Sequence, residues 1–209
     1  MIGNAMILLR EELIAYMSAK GDPVNVLIEN IGLFETQNSE ILTDNIIMSV
    51  VNVEEESTLK NGKTFTKWPD GLARYGNRPV YINLYVLFTA NFPGGVPPNN
   101  NYIQSLQRLS RVIEFFQGKN VFTPATSPVT LPPPLDDLSN PAIANLKLSM
   151  EIYTLTFEQI NHLWGSLGGR QIPFVMYKVR LLMISGDTIQ REVPLIEEIE
   201  TNAKTIDNC

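Results

Sequence analysis

The chain has 209 residues, enough for one sizeable domain or two small ones. Its 16 Lys and Arg against 22 Asp and Glu leave a formal net charge of −6, which argues against a nucleic-acid binder with a broad basic surface and against a polybasic membrane-surface protein. One cysteine, Cys209, and one histidine, His162, allow no internal disulfide and no zinc site built from Cys and His alone.

Charges arrive at Arg10, Glu11 and Glu12, too soon for a secretory signal. The best uncharged apolar stretch, residues 79–92, is shorter than the ~20 apolar residues a membrane helix needs. The expectation is a protein made and kept in the cytoplasm until something carries it elsewhere. Met6, Leu9, Leu13 and Met17, with Ile14 beside them, predict a helix over residues 4–19 that Gly21-Asp22-Pro23 stops. Residues 24–31 read as a short strand and 32–44 as a polar connection. Residues 45–54 are a second strand, rich in Ile and Val. Asn61-Gly62 is a two-residue turn signal, so residues 53–66 read as a hairpin with Lys60 and Lys63 at a polar tip. Residues 68–78 read as a loop.

Residues 80–92 alternate strictly. Val80, Ile82, Leu84, Val86, Phe88, Ala90 and Phe92 share one face, and both faces carry bulk, which predicts a central strand covered on each side. A breaker-rich loop, 93–101, leads to a helix over 102–118 whose stripe is Tyr102, Leu106, Leu109, Ile113 and Phe116, widened by Ile103, Val112 and Phe115. Residues 121–123 allow a short strand. Six prolines in residues 124–141 exclude a helix or a central strand there, leaving an ordered crossover or a mobile loop. Leu146, Leu148, Met150 and Ile152 alternate with polar neighbours as a strand with one wet side. Thr156 can cap a helix over 157–167 with Phe157, Ile160, Leu163, Trp164 and Leu167 on one side, ended by Gly168-Gly169. Residues 174–184 form a long apolar strand carrying Lys178 and Arg180, and an acidic tail follows. The order predicts an α+β (mixed α/β) fold: a central mixed or antiparallel sheet flanked by about three helices, with protruding hairpin and loops. One domain is expected over 1–186 and a tail over 187–209.

No phosphate loop or dinucleotide fingerprint is present. Glu158 lies four residues before His162 on the same helix, but no nucleophile joins them in a recognisable pattern. Asp136-Asp137 read as solvated turn residues, and Glu54-Glu55-Glu56 as a solvated strand edge that guards against wrong pairing. No catalytic, metal or cofactor residue is assigned, no cofactor is expected, and the chain is expected not to be an enzyme. What stands out is geometric: the hairpin near Asn61, the loops 93–101 and 124–141, and a tail with strand-like residues. Such arms can add strands to a partner's sheet edge, which suits an assembly subunit.

Five segments carry a family likeness: Asn52-Val-Glu-Glu-Glu56; Pro79-Val-Tyr-Ile-Asn-Leu-Tyr-Val-Leu-Phe-Thr-Ala-Asn-Phe-Pro93; Leu109-Ser-Arg-Val-Ile-Glu-Phe-Phe-Gln117 with Val121-Phe-Thr123; Glu158-Gln-Ile-Asn-His-Leu-Trp-Gly-Ser-Leu-Gly-Gly169; and Pro173-Phe-Val-Met-Tyr-Lys-Val-Arg-Leu181. Together they resemble the tail-terminator, or cap, proteins of extracellular contractile injection systems, over residues 2–185. The resemblance implies a phage tail-terminator-like fold, a hexameric ring, and a structural role. That ring would sit on the end of the particle away from the baseplate, bind the last sheath and inner-tube layers, and stop their polymerisation. It implies assembly in the cytoplasm followed by residence in the particle, with sheath protein and inner-tube protein as partners, no nucleic acid and no direct membrane insertion. Longer family members carry a further C-terminal region. Candidate partner-binding residues are Lys60, Asn61, Gly62 and Lys63 on the hairpin, and Thr188, Arg191, Val193 and Leu195 on the tail, acting by strand addition. Two alternatives stand beside this reading: an assembly adaptor or chaperone of the same particle, and a small-ligand or enzymatic domain around Glu158 and His162.

Overall fold

A computed structural model describes residues 1–33, 44–59, 65–67, 72–92, 101–169, 171–184 and 189–194. Helix α1 (Ile2–Ala19) buries Met6, Leu9, Leu13 and Met17, as their spacing predicts, together with Ala5 and Leu8. Gly21, at φ 75°, turns the chain out of the helix in the left-handed region that favours glycine.

Six strands make the main sheet: β1 (Val26–Ile28), β2 (Asn45–Glu55), β5 (Val80–Asn91), β8 (Phe174–Ile184), β7 (Leu148–Ile152) and β6 (Val121–Phe122), in that spatial order. β1 lies parallel to β2, and the other neighbours are antiparallel. A second sheet orders β3 (Phe65–Lys67), β4 (Leu72–Gly76) and β9 (Ile189–Pro194).

β5 sits inside the main sheet with cover on both faces, as its alternation requires. Leu84, Val86, Phe88 and Ala90 enter the larger core beneath α1 and α2 (Asn101–Gly118), whereas Leu87 joins Ile31, Ile47, Trp164 and Met176 under α4 (Phe157–Ser166). Phe88 is fully buried, with its ring 5.2 Å from Phe116 and 5.8 Å from Tyr177 in edge-on contacts. Thr156 caps α4 through a capping box: its hydroxyl accepts from the Gln159 N–H at 3.3 Å, and its own N–H donates to Gln159 Oε1 at 2.9 Å.

The proline-rich stretch is an ordered crossover from β6 to β7. It places Leu131, Leu135 and Ile143 in the larger core and ends in a one-turn helix, α3 (Pro141–Ala144), so four helices are described instead of three.

Several expectations are corrected. Of the hairpin expected over 53–66, residues 60–64 lie outside the described residues; among those described, β2 runs antiparallel to β5, and β3 pairs with β4 instead of with β2. The expected loop 68–78 contains β4, whose other neighbour is β9. The strand expected over 24–31 is three residues long. Helix α2 is rotated from its expected face: Ser105, Leu109, Val112, Phe115 and Phe116 are buried, whereas Tyr102, Ile103, Leu106 and Ile113 are exposed. The cause is polar. Ser105 Oγ accepts the Phe92 N–H at 3.3 Å and donates to the Asn101 carbonyl at 3.2 Å, which ties that side of the helix to the end of β5. Phe157, expected on the apolar side of α4, is 88% exposed.

Candidate docking surfaces

The face of the main sheet that carries α4 is apolar at one end and charged at the other. β2 has an irregular register between Val50 and Asn52, and β5 has one between Ile82 and Leu84. After them, Glu54 stands opposite Asn83, Tyr85 opposite Lys178, and Lys178 opposite Glu151. Tyr85 donates its hydroxyl to Glu54 Oε2 at 2.6 Å, and Lys178 Nζ lies 3.5 Å from the same oxygen. Asn83 Nδ2 donates to Glu56 Oε2 at 3.0 Å, with Arg180 at 3.7 Å from that oxygen and donating to Glu151 at 3.2 Å.

The charges respond as this wiring requires. The Asn83 amide, then the Thr58 hydroxyl and N–H, hold the Glu56 carboxyl down at about 2. The Tyr85 hydroxyl, followed by Lys178, holds Glu54 below its ordinary value, and the same hydrogen bond from Tyr85 to Glu54 raises the tyrosine. The triplet Glu54-Glu55-Glu56 is therefore more than a solvated edge: the Glu56 side chain is only 11% exposed and anchors the end of β2 to β5 and β8.

Between this network and α4 runs a groove of about 380 Å3, walled by Val51, Val53, Tyr85, Tyr153, Leu155 and Leu163. On the opposite face of the sheet, Tyr102, Leu106 and Ile113 form an uncharged exposed row along α2. These surfaces were missed in the sequence because register irregularities have no sequence mark, and because burial of one α2 flank cannot be told from burial of the next. The breadth of the α2 apolar arc was the one available signal, since it is wider than a single buried stripe needs.

Arg191 and Val193 lie on β9, opposite Tyr75 and Ala73 of β4; Arg191 is exposed and Val193 half-buried. Lys60, Asn61, Gly62, Lys63, Thr188 and Leu195 lie outside the described residues. The structure therefore brings two of the eight candidates together and shows that one edge of their strand is occupied by the chain itself. Among the described residues, no strand pairs the other edge of β9.

His162 Nε2 lies 3.8 Å from Glu158 Oε1, with both side chains at least 80% exposed on the outer face of α4. That placement leaves both groups solvated, without the desolvation that tunes an acid–base pair. Among the described residues, no group of three or more His, Cys, Asp or Glu could hold a metal, and no helix is long and apolar enough to cross a membrane.

The Pvc16 N-terminal domain family matches residues 7–198. In fold, the chain is similar to the PVC sheath/tube terminator of an extracellular contractile injection system in its extended state, at 12% identity and a TM-score of 0.57, over 96% of this chain and 64% of that one. It is similar also to the anti-feeding prophage cap, a tube-terminating cap, at 17% identity and a TM-score of 0.58, over 94% of this chain and 59% of that one. The chain thus spans about three fifths of the length of the solved structures it matches. No curated protein matches it by sequence.

Proposed function

Because the chain belongs to the Pvc16 N-terminal domain family, we propose that it caps a contractile injection particle, closing the end of the inner tube and sheath and stopping their growth. The observation that carries this reading is the extent of the match: nearly the whole chain shares its fold with a sheath/tube terminator and with a tube-terminating cap. The chain acts without chemistry of its own. Its partners are sheath protein, inner-tube protein and further copies of itself arranged as a ring of six.

The physical requirement on such a ring is set by charge. Copies that each carry −6 repel, so their contacts have to be uncharged or locally complementary. The exposed row of Tyr102, Leu106 and Ile113 on α2 meets the first condition. A cap also has to engage the growing end without offering a copy of it, which is a heterologous contact that closes. The edge of β9 that no described strand pairs, with Arg191, and residues 60–64 are the proposed arms for strand addition to the sheath.

The test is polymerisation of sheath and tube with and without the purified chain, scored by electron microscopy. The expected result is a narrow length distribution with the chain retained at one ring per particle end. Unchanged lengths overturn the capping role, and release of the chain from finished particles makes it an assembly factor instead. Deleting residues 60–64 should leave a folded chain that caps poorly; normal lengths with that variant remove this segment from the mechanism.

A further inference from the structure

β2 is paired along its whole length on one side, by β5, and along only part of it on the other. β1 accompanies it over Ile46, Ile47 and Met48, and the last bond between them runs from the Glu29 N–H to the Met48 carbonyl at 3.2 Å. The chain then leaves the sheet. The Ile31 N–H donates to Ser49 Oγ at 3.1 Å, and the Ile31 side chain is buried with Leu87 and Trp164 under α4. Among the described residues, no strand stands beside β2 on that side after Ser49.

The backbone of the uncovered stretch points outward in a defined pattern. The Ile46 N–H donates to the Asn25 carbonyl at 2.9 Å, so residues 46, 48 and 50 turn their peptide groups away from β5. Val51 is the extra residue at the register shift, and it reverses that phase. The Glu56 N–H donates to the Tyr81 carbonyl at 2.8 Å, so Asn52 and Glu54 face β5 and Val53 faces out. The Val53 N–H accordingly finds its acceptor on the adjacent side chain, Asn52 Oδ1, at 2.9 Å. An outward row of peptide groups is matched by the backbone of another extended chain, which can take the place of that side-chain bond.

The side chains say what that extended chain carries. Val50 and Val53 stand opposite Val86 and Leu84, which lie in the larger core, so both sit at its margin, 36% and 48% exposed. A strand laid beside them extends the apolar layer with every second residue. Its alternate residues fall on the α4 face, beside Asn52 and Glu54. The Glu54 side chain is 51% exposed, and the ion pairs of that face join three carboxylates, Glu54, Glu56 and Glu151, to two cations, Lys178 and Arg180. The excess charge of that network is negative, which favours Lys or Arg on the incoming strand.

We propose that the outer edge of β2 between Val50 and Glu54 receives an extended segment of a partner protein along which apolar and basic residues alternate. The chain then accepts a strand as well as offering arms of its own. That the partner is a particle component rests on the capping role; the strand chemistry does not.

The experiment is NMR of the whole chain with a synthetic peptide, Lys-Val-Lys-Val-Lys-Val-Lys, capped at both ends. In the free chain the Val53 amide should exchange with solvent at least ~100-fold faster than those of Asn52 and Glu54, and saturating peptide should slow it to their range. The same peptide with glutamate for lysine should bind at least about tenfold more weakly, and so should one with proline for valine, which keeps the charge and removes the donors. Val53→Pro removes an N–H that the ladder to β5 does not use, so the variant should fold and lose peptide binding. If it fails to fold, Val53→Lys, at an exposed side chain, should weaken binding at least about tenfold by like charge. A Val53 amide already protected in the free chain overturns the proposal, because the edge is then covered. No binding of the lysine–valine peptide overturns it too, and leaves the irregular register and the glutamates as guards of the edge. Equal binding of the proline peptide reduces the contact to charge, equal binding of the glutamate peptide removes the basic partner, and binding that survives both Val53 variants lies at another edge; each overturns the proposal. None of these measurements needs sheath or tube, so their failure leaves the capping test standing, and a chain that binds the peptide without capping overturns only the capping role.

Discussion

Replacing Lys119 by Met should destabilise the protein far more than removing its partner Glu12, although Lys119 is the more exposed of the two. The Glu12 side chain is 1% exposed and Lys119 is 30% exposed, with 2.5 Å between their charged atoms. Lys119→Met keeps most of the stem but leaves a carboxylate buried without a counter-charge, a change that typically costs 3–5 kcal/mol. Partial access of water along the lysine side places the expectation at the lower end, about 3 kcal/mol, with roughly 0.5–1 kcal/mol more from the lost contact of the ammonium with the Phe122 ring, 4.9 Å away. In the other direction, Glu12→Leu leaves a lysine that can turn into solvent, so the loss should stay near 1 kcal/mol. The double variant, with both charges replaced by apolar groups, should recover most of the Lys119→Met loss. Urea unfolding of the four proteins measures this, with unchanged m values securing the comparison, and a 3 kcal/mol loss should lower Tm by about 6–12 °C. A Lys119→Met variant within 1 kcal/mol of the parent, or a double variant no more stable than it, would refute the reasoning.

Phe88→Ala should cost about 3–5 kcal/mol in the same assay, since the ring is fully buried between Phe116 and Tyr177 and leaves a cavity in the middle of β5. Thr156→Ala should cost about 1 kcal/mol by removing one arm of the α4 capping box, and Thr156→Ser should restore most of it. Glu56 is held at about 2 against an ordinary 4.5, so its folded-state advantage is full above its unfolded value and is lost as pH falls from about 4.5 through about 2. Glu56→Gln should therefore be less stable than the parent at pH 6 and converge with it near pH 2; a stability gap that does not narrow with acid would contradict this.

Much of the fold was readable because its signals were local. The alternation of residues 80–92 predicted both the strand and its cover on two faces, and Leu84 and Leu87 do enter different cores. Thr156 marked the start of α4, where the structure adds a capping box with Gln159. What escaped was non-local. Asn61-Gly62 is a sound turn signal, but it says nothing of where β2 finds its partner; the apolar pattern of β5 sets that register. β4 was hidden by Pro69, Gly71 and Gly76 around it, and it is made a strand by pairing with β9 at the far end of the chain. The rotation of α2 hangs on Ser105, a small polar residue with no periodic signature. The docking surfaces were hidden for the same reason, because each is defined by what the fold leaves uncovered.

The uncovered residues carry the last argument. Leu106 on α2 is 43% exposed and Phe157 on α4 is 88% exposed, and the two helices lie on opposite faces of the main sheet. One copy thus offers two unlike apolar surfaces, and unlike surfaces pair head to tail, the geometry that closes into a ring. If the proposed ring uses both, Leu106→Glu spoils one surface and Phe157→Asp the other. Each variant should stay folded within about 0.5 kcal/mol of the parent, because both side chains already face water. Each alone should sediment as a monomer. Mixed, they retain a single intact junction, made by the α2 face of the Phe157→Asp chain and the α4 face of the Leu106→Glu chain, so the mixture should form a heterodimer and stop there. A self-complementary contact of either face with its own copy predicts a different pattern, in which the variant untouched on that face still dimerises alone. Sedimentation of the separate and mixed variants separates the two, and monomers throughout the mixture would remove these helices from the ring.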